Sequence, residues 1–65
     1  MKQDLRLKYN LLKDYEVIGQ IEIYVTSTIE VYRVYVHGTL ISTYYTLDNL
    51  VRFLVANDFL TELVR

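Results

Sequence analysis

QIEIYVTSTIEVYRVYVHGTLISTYY, residues 20–45, decides the fold of this chain. Its apolar residues recur at alternate positions, which places them on one side of a strand. His37-Gly38 reads as a two-residue hairpin turn. A type I′ turn needs positive φ at both central residues; Gly adopts this freely, and His is among the residues that tolerate it. Folding there pairs Val36 with Thr39, Tyr35 with Leu40, Val34 with Ile41, Arg33 with Ser42, Tyr32 with Thr43 and Val31 with Tyr44. A turn at Ser27-Thr28, or a loop from Thr26 to Ile29, pairs Ile21 with Val34, Glu22 with Arg33 and Ile23 with Tyr32. The two hairpins agree on two faces. One collects Ile21, Ile23, Val25, Tyr32, Val34, Val36 and Ile41, and can cover a core. The other collects Tyr24, Tyr35, Tyr44, Val31 and Leu40, with Glu22 opposite Arg33. A one-residue slip would mix the two sets.

Upstream, residues 15–26 form the preceding strand. Gly19 falls on its apolar parity, where a bulge or a close backbone approach calls for glycine. Residues 4–11 alternate too, with Leu5, Leu7, Tyr9 and Leu11 between Asp4, Arg6, Lys8 and Asn10. Leu, Lys and Arg are helix formers, but a helix would scatter these leucines around its circumference, so strand is preferred. Pairing to the next strand through an odd-numbered loop, Leu12-Lys13-Asp14, puts Leu7, Tyr9 and Leu11 on the core face. Lys8 and Arg6 then lie on the tyrosine face near Ile18, Gln20 and Glu22. Pairing with the fourth strand, or with another subunit, is the alternative.

Downstream, the pattern turns helical. Thr46 suits an N-cap, with Asp48 in the first turn favoured by the helix dipole. Leu47, Leu50, Val51, Leu54 and Val55 make one apolar stripe. Phe59, Leu60, Leu63 and Val64 fall nearly opposite it. The pattern predicts a break at Asn57, with Asn in the left-handed cap position and Asp58 capping a short second helix. The runner-up is one continuous helix whose second half packs on another subunit. The fold class is therefore α+β: one domain over residues 1–65, an antiparallel meander of four strands with a C-terminal helix packed on one face.

Sixty-five residues bury only ~60 % of their unfolded surface, so a lone core is marginal. Small domains add a disulfide, a metal or an oligomer interface. The chain has no Cys and a single His, so no disulfide, metal or cofactor is expected, and self-association remains. An apolar fraction of 52 % and seven Tyr fit a chain that buries more than its size suggests. The net charge of −1 gives no drive toward nucleic acid or anionic membrane. Residues 1–13 are basic through Lys2, Arg6, Lys8 and Lys13, while residues 14–50 are acidic, which suits two neighbouring strands of complementary charge. With no secretory or membrane-spanning run and no Cys, the expectation is a cytoplasmic protein.

Catalytic motifs do not emerge. Glu22, Arg33 and Ser42 share a row, but an ion pair on an open sheet face lacks the water exclusion that catalysis needs. His37 is a turn residue without a second ligand. The chain therefore reads as no enzyme. The tyrosine face reads as a contact surface, because Tyr brings a large area at low entropic cost. Tyr24, Tyr35 and Tyr44 would anchor a homodimer with Val31 and Leu40, while Glu22 and Arg33 set register. Phe59, Leu60, Leu63 and Val64 form a second candidate interface, and a heterologous protein partner is compatible with either. The alternative is single-stranded nucleic acid stacked on the tyrosines, which the acidic surroundings of Glu16, Glu22 and Glu30 disfavour. In brevity, composition and strands-then-helix order the chain looks like the small accessory proteins of phages and other mobile elements; that likeness carries no functional residue.

Overall fold

Five antiparallel strands and one short helix make up the described residues, 4–64, of a computed structural model, with side chains described from Leu7 onward. In chain order they are β1 (Asp4–Lys13), β2 (Glu16–Val25), β3 (Glu30–Val36), β4 (Thr39–Tyr44), α1 (Leu47–Ala56) and β5 (Leu60–Leu63). Across the sheet the order is β4-β3-β2-β1-β5. The fold is α+β: a five-strand meander sheet with the helix carrying the chain from one edge to the other. Among the described residues no helix is long and apolar enough to cross a membrane.

The β2–β3 hairpin has the register that parity requires, with Ile21 opposite Val34, Glu22 opposite Arg33 and Ile23 opposite Tyr32. Its loop is closed by Thr26, whose N–H donates to the Ile29 carbonyl at 2.8 Å and whose hydroxyl accepts from the Ile29 N–H at 3.0 Å. His37 and Gly38 both take positive φ, 51° and 81°, as the turn demands. Gly19 is required by a close approach. A Cβ there would lie 1.9 Å from the Tyr35 carbonyl oxygen.

β1 pairs with β2, and Tyr9 and Leu11 face the core. The odd residue that this parity needs does not come from the loop. Asp14 and Tyr15 form a tight turn with φ of 52° and 66°, and a register shift leaves Ile18 as the extra residue on β2. The bulge turns Ile18 toward the core, so it leaves the tyrosine face on which parity had set it.

β4 departs from parity for the same reason. Tyr35 pairs with Leu40 as expected, but Val34 then pairs with Ser42, Arg33 with Thr43 and Tyr32 with Tyr44. Ile41 is bulged out and stays 47 % exposed rather than joining the core. Tyr44 crosses to the helix side. The sequence LISTYY offers apolar residues on both parities, so alternation could not choose between them.

The core lies between the sheet and α1. Leu11, Ile21, Tyr32, Val34 and Leu50 are buried there. Thr46 caps α1, its hydroxyl accepting from the Asn49 N–H at 3.2 Å, and Asp48 occupies the first turn. The helix breaks at Asn57, as the moving stripe requires, but the left-handed residue is Asp58, with φ 56°. The Phe59 N–H returns to the Leu54 carbonyl at 3.0 Å, closing the helix end. Beyond the break the chain forms a strand, not a second or continuous helix. Leu60–Leu63 pairs with the open edge of β1, Leu63 opposite Tyr9 and Leu60 opposite Leu12. So few residues cannot sustain a helix alone, whereas the β1 edge offers ready backbone partners.

Candidate interaction surface

Among the described residues, three regions present large side chains outward: the sheet face away from α1, the outer row of α1, and β5 at the sheet edge.

On the sheet face, β2 and β3 place Tyr24 opposite Val31, Glu22 opposite Arg33 and Gln20 opposite Tyr35. β4 adds Leu40 beside Tyr35. Tyr44 is absent from this face: its ring lies 5.6 Å from Phe53 under the helix, and it is withdrawn from the tyrosine interface. The remaining residues are largely satisfied by one another. The Tyr24 hydroxyl donates to the Glu22 carboxylate at 2.6 Å. The Arg33 guanidinium sits 4.8 Å from the Tyr24 ring centre, a cation–π contact. Lys8 reaches Glu22 at 3.9 Å, joining the basic first strand to the acidic second. Arg6, expected on this face, lies outside the described side chains. Val31 is 2 % exposed, so it supports the face and offers no contact area. The hydrogen bond to Glu22 is the main cause holding the Tyr24 phenol above its ordinary pKa; burial and the Glu22 charge add to it, and Arg33 opposes it. A base-stacking platform would be reduced here to Tyr24 and Tyr35, one of them held by a carboxylate.

The outer row of α1 contrasts with this. Leu50 points at the sheet and is buried, with Phe53 and Leu54 packed beside it. Leu47, Val51 and Val55 lie along the flank of the helix and are 58 %, 45 % and 72 % exposed, with Leu47 and Val51 over the edge of a cleft toward the sheet. The five-residue stripe expected to face the core is therefore split. Phe53 is the cause. It lies outside the stripe yet packs inward between Tyr44 and Phe59, with ring centres 5.6 Å apart on each side. At 100° per residue, Phe53 widens the apolar arc to about 200°. A helix lying on one sheet cannot bury that much of its circumference. That width is the signal in the sequence for an exposed apolar row. The row is flanked by two clefts. One, of about 220 Å³, opens between α1 and β1–β2, with Tyr9 and Ile23 beneath Leu47 and Val51. The other lies at the helix C-terminus between Val55, Tyr15 and Leu60.

At the edge, the second candidate set divides. Phe59 is partly buried against the core, and Lys13 lies 5.2 Å from its ring centre. The same ammonium donates to the Asn57 carbonyl at 2.7 Å, supplying the helix C-terminus with the cation its own last turn lacks. Leu60, Leu63 and Val64 remain 55 %, 44 % and 40 % exposed. Comparison with protein-family models, with curated proteins and with solved structures finds no match to this chain.

Proposed function

We propose that this chain is a non-catalytic protein–protein interaction module that self-associates, as a homodimer in its simplest form. The observation that carries the reading is the exposed row Leu47, Val51 and Val55 on a helix whose inner side is already packed. Scattered apolar residues on a surface need no explanation. A contiguous row that lines two clefts does, because such patches mark association sites. Energetics point the same way. Among the described residues only five side chains form the buried core beneath the helix, a small core for a chain whose length already limits burial. Covering the row would add apolar burial worth about 25 cal/mol per Å². The surface that supports this reading best is the helix rather than the tyrosine face, whose members are occupied with one another.

Sedimentation equilibrium across a wide concentration range tests it. The expected outcome is a mass rising from 7.8 kDa toward twice that value. A mass fixed at 7.8 kDa throughout overturns self-association and leaves a heterologous protein as the partner of the row.

A further inference from the structure

We propose that the open edge of β5 receives a sixth strand, an extended antiparallel segment of another protein with the pattern apolar–basic–apolar. The inference goes beyond self-association and does not depend on it. β5 ends the sheet and pairs with β1 on one side only. The Val64 N–H donates to the Lys8 carbonyl at 3.0 Å, which fixes the alternation of backbone bonds along the strand. Leu60, Glu62 and Val64 turn their backbone groups toward β1. Thr61 and Leu63 turn theirs outward, where no described residue pairs with them. Backbone groups set out in this way bind another extended backbone. The opposite edge is less suited. β4 carries the register shift at Ile41, whereas β5 runs against β1 without one.

Side chains specify the occupant. Glu62 lies opposite Asn10 on the sheet face away from α1, and it is exposed, with no ion-pair partner among the described residues. In a strand that uses the outward groups of both Thr61 and Leu63, the residue facing Glu62 sits in the close, non-hydrogen-bonded pair. A Lys or Arg there meets the carboxylate across the strands. A shallow notch bounded by Asn10, Glu62, Leu63 and Val64 leaves room for its stem. The residues on either side of that cation project to the helix side of the sheet. They meet Leu63, 44 % exposed, and Thr61, which walls the cleft beneath α1. Those two positions take apolar side chains. A second copy fits poorly. β5 on β5 in this register sets Glu62 against Glu62 of the second copy, and like charges directly opposite are destabilising. β4 of a second copy brings no cation.

The peptide acetyl-Thr-Val-Lys-Val-Thr-amide, titrated into the isotope-labelled chain, tests this by NMR. The amides of Thr61 and Leu63 should shift most. Methylating the amide nitrogen of either Val removes an edge hydrogen bond and should weaken binding by about fivefold or more. Methylating that of the peptide's Lys, whose N–H points away from β5, should change it by less than about twofold. Replacing the peptide's Lys by Glu should weaken binding by about fivefold, and Glu62→Lys should reverse that preference. Glu62 is exposed, and circular dichroism should show this variant folded. Shifts centred on Val51 or Tyr35, equal losses from methylation at Lys and at Val, or no shift at millimolar peptide would overturn the proposal. Shifts of Thr61 and Leu63 that follow protein concentration without peptide would overturn it as well, by giving the edge to a second copy.

Discussion

The half-buried sheet face around Tyr24 and the exposed row of α1 are both rich in large side chains, yet they differ in what their own chain supplies to them. Around Tyr24, a carboxylate accepts the phenol's hydrogen bond, a guanidinium covers the ring, and an ammonium closes the set. Along α1, the aliphatic side chains have only their own row and the clefts beside it. Aromatic content alone is thus a poor guide to an interface. A face that satisfies its own polar atoms gains little from a partner, whereas an uncovered aliphatic row gains all of its burial from one.

Both regions depend on the sheet that holds them in place, and the severest way to break the contrast is at Gly19. Gly19→Ala would drive a methyl group into the Tyr35 carbonyl. The expected loss is about 4 kcal/mol or more, read from urea unfolding, with both surfaces lost together. An unchanged midpoint would show that β3 can back away from β2. Adjacent helix positions sharpen the contrast next. Leu50→Ala should cost about 3 kcal/mol, because Leu50 is 4 % exposed within the core. Val51→Asp should change unfolding, measured in dilute monomer, by less than about 1 kcal/mol. Similar losses at the two positions would mean that α1 is rotated relative to the sheet.

Alkaline pH separates buried from half-buried tyrosine. The Tyr32 hydroxyl donates to the Glu30 carboxylate, and that bond, with burial second, raises its pKa to about 12. The unfolded phenol ionises near 10. Tyr32 therefore contributes its full share of stability below about pH 10 and loses it as pH rises through about 12. The contribution is on the order of 2 kcal/mol. Tyr32→Phe should flatten the stability profile across that window, and a profile as steep as the wild type's would assign the drop to another group. The smallest effect is expected at Tyr24→Phe, which removes the hydrogen bond to Glu22 on a half-exposed face and should cost about 1 kcal/mol or less in thermal unfolding. A larger loss would make that network a structural support rather than a self-contained surface.

How much of this was legible in the sequence varies with the segment. The β2–β3 register followed from parity, because Ile21, Ile23, Tyr32 and Val34 leave no competing alternation. Gly19, His37 and Gly38 announced their backbone roles, and Thr46 announced its cap. The register shifts at Ile18 and Ile41 were not legible. At Ile18 and Ile41 an apolar residue stands beside another apolar or small residue, so either register buries a similar surface and tertiary packing decides. Tyr44 moved beneath the helix through the second of these. β5 was hidden for a different reason. Its four residues have no strong pattern of their own, and they become a strand because β1 has an edge open to pairing. The outer row was readable in principle from Phe53, whose position makes the apolar arc too wide for one sheet.

The most direct test sets the two regions against each other. Val51→Asp and Tyr35→Asp should be run beside the wild type in sedimentation velocity at one concentration where the wild type is dimeric. The account predicts a monomer for Val51→Asp and an unchanged dimer for Tyr35→Asp. A dimer that survives at Val51 and dissociates at Tyr35 would return the interface to the tyrosine face and contradict it.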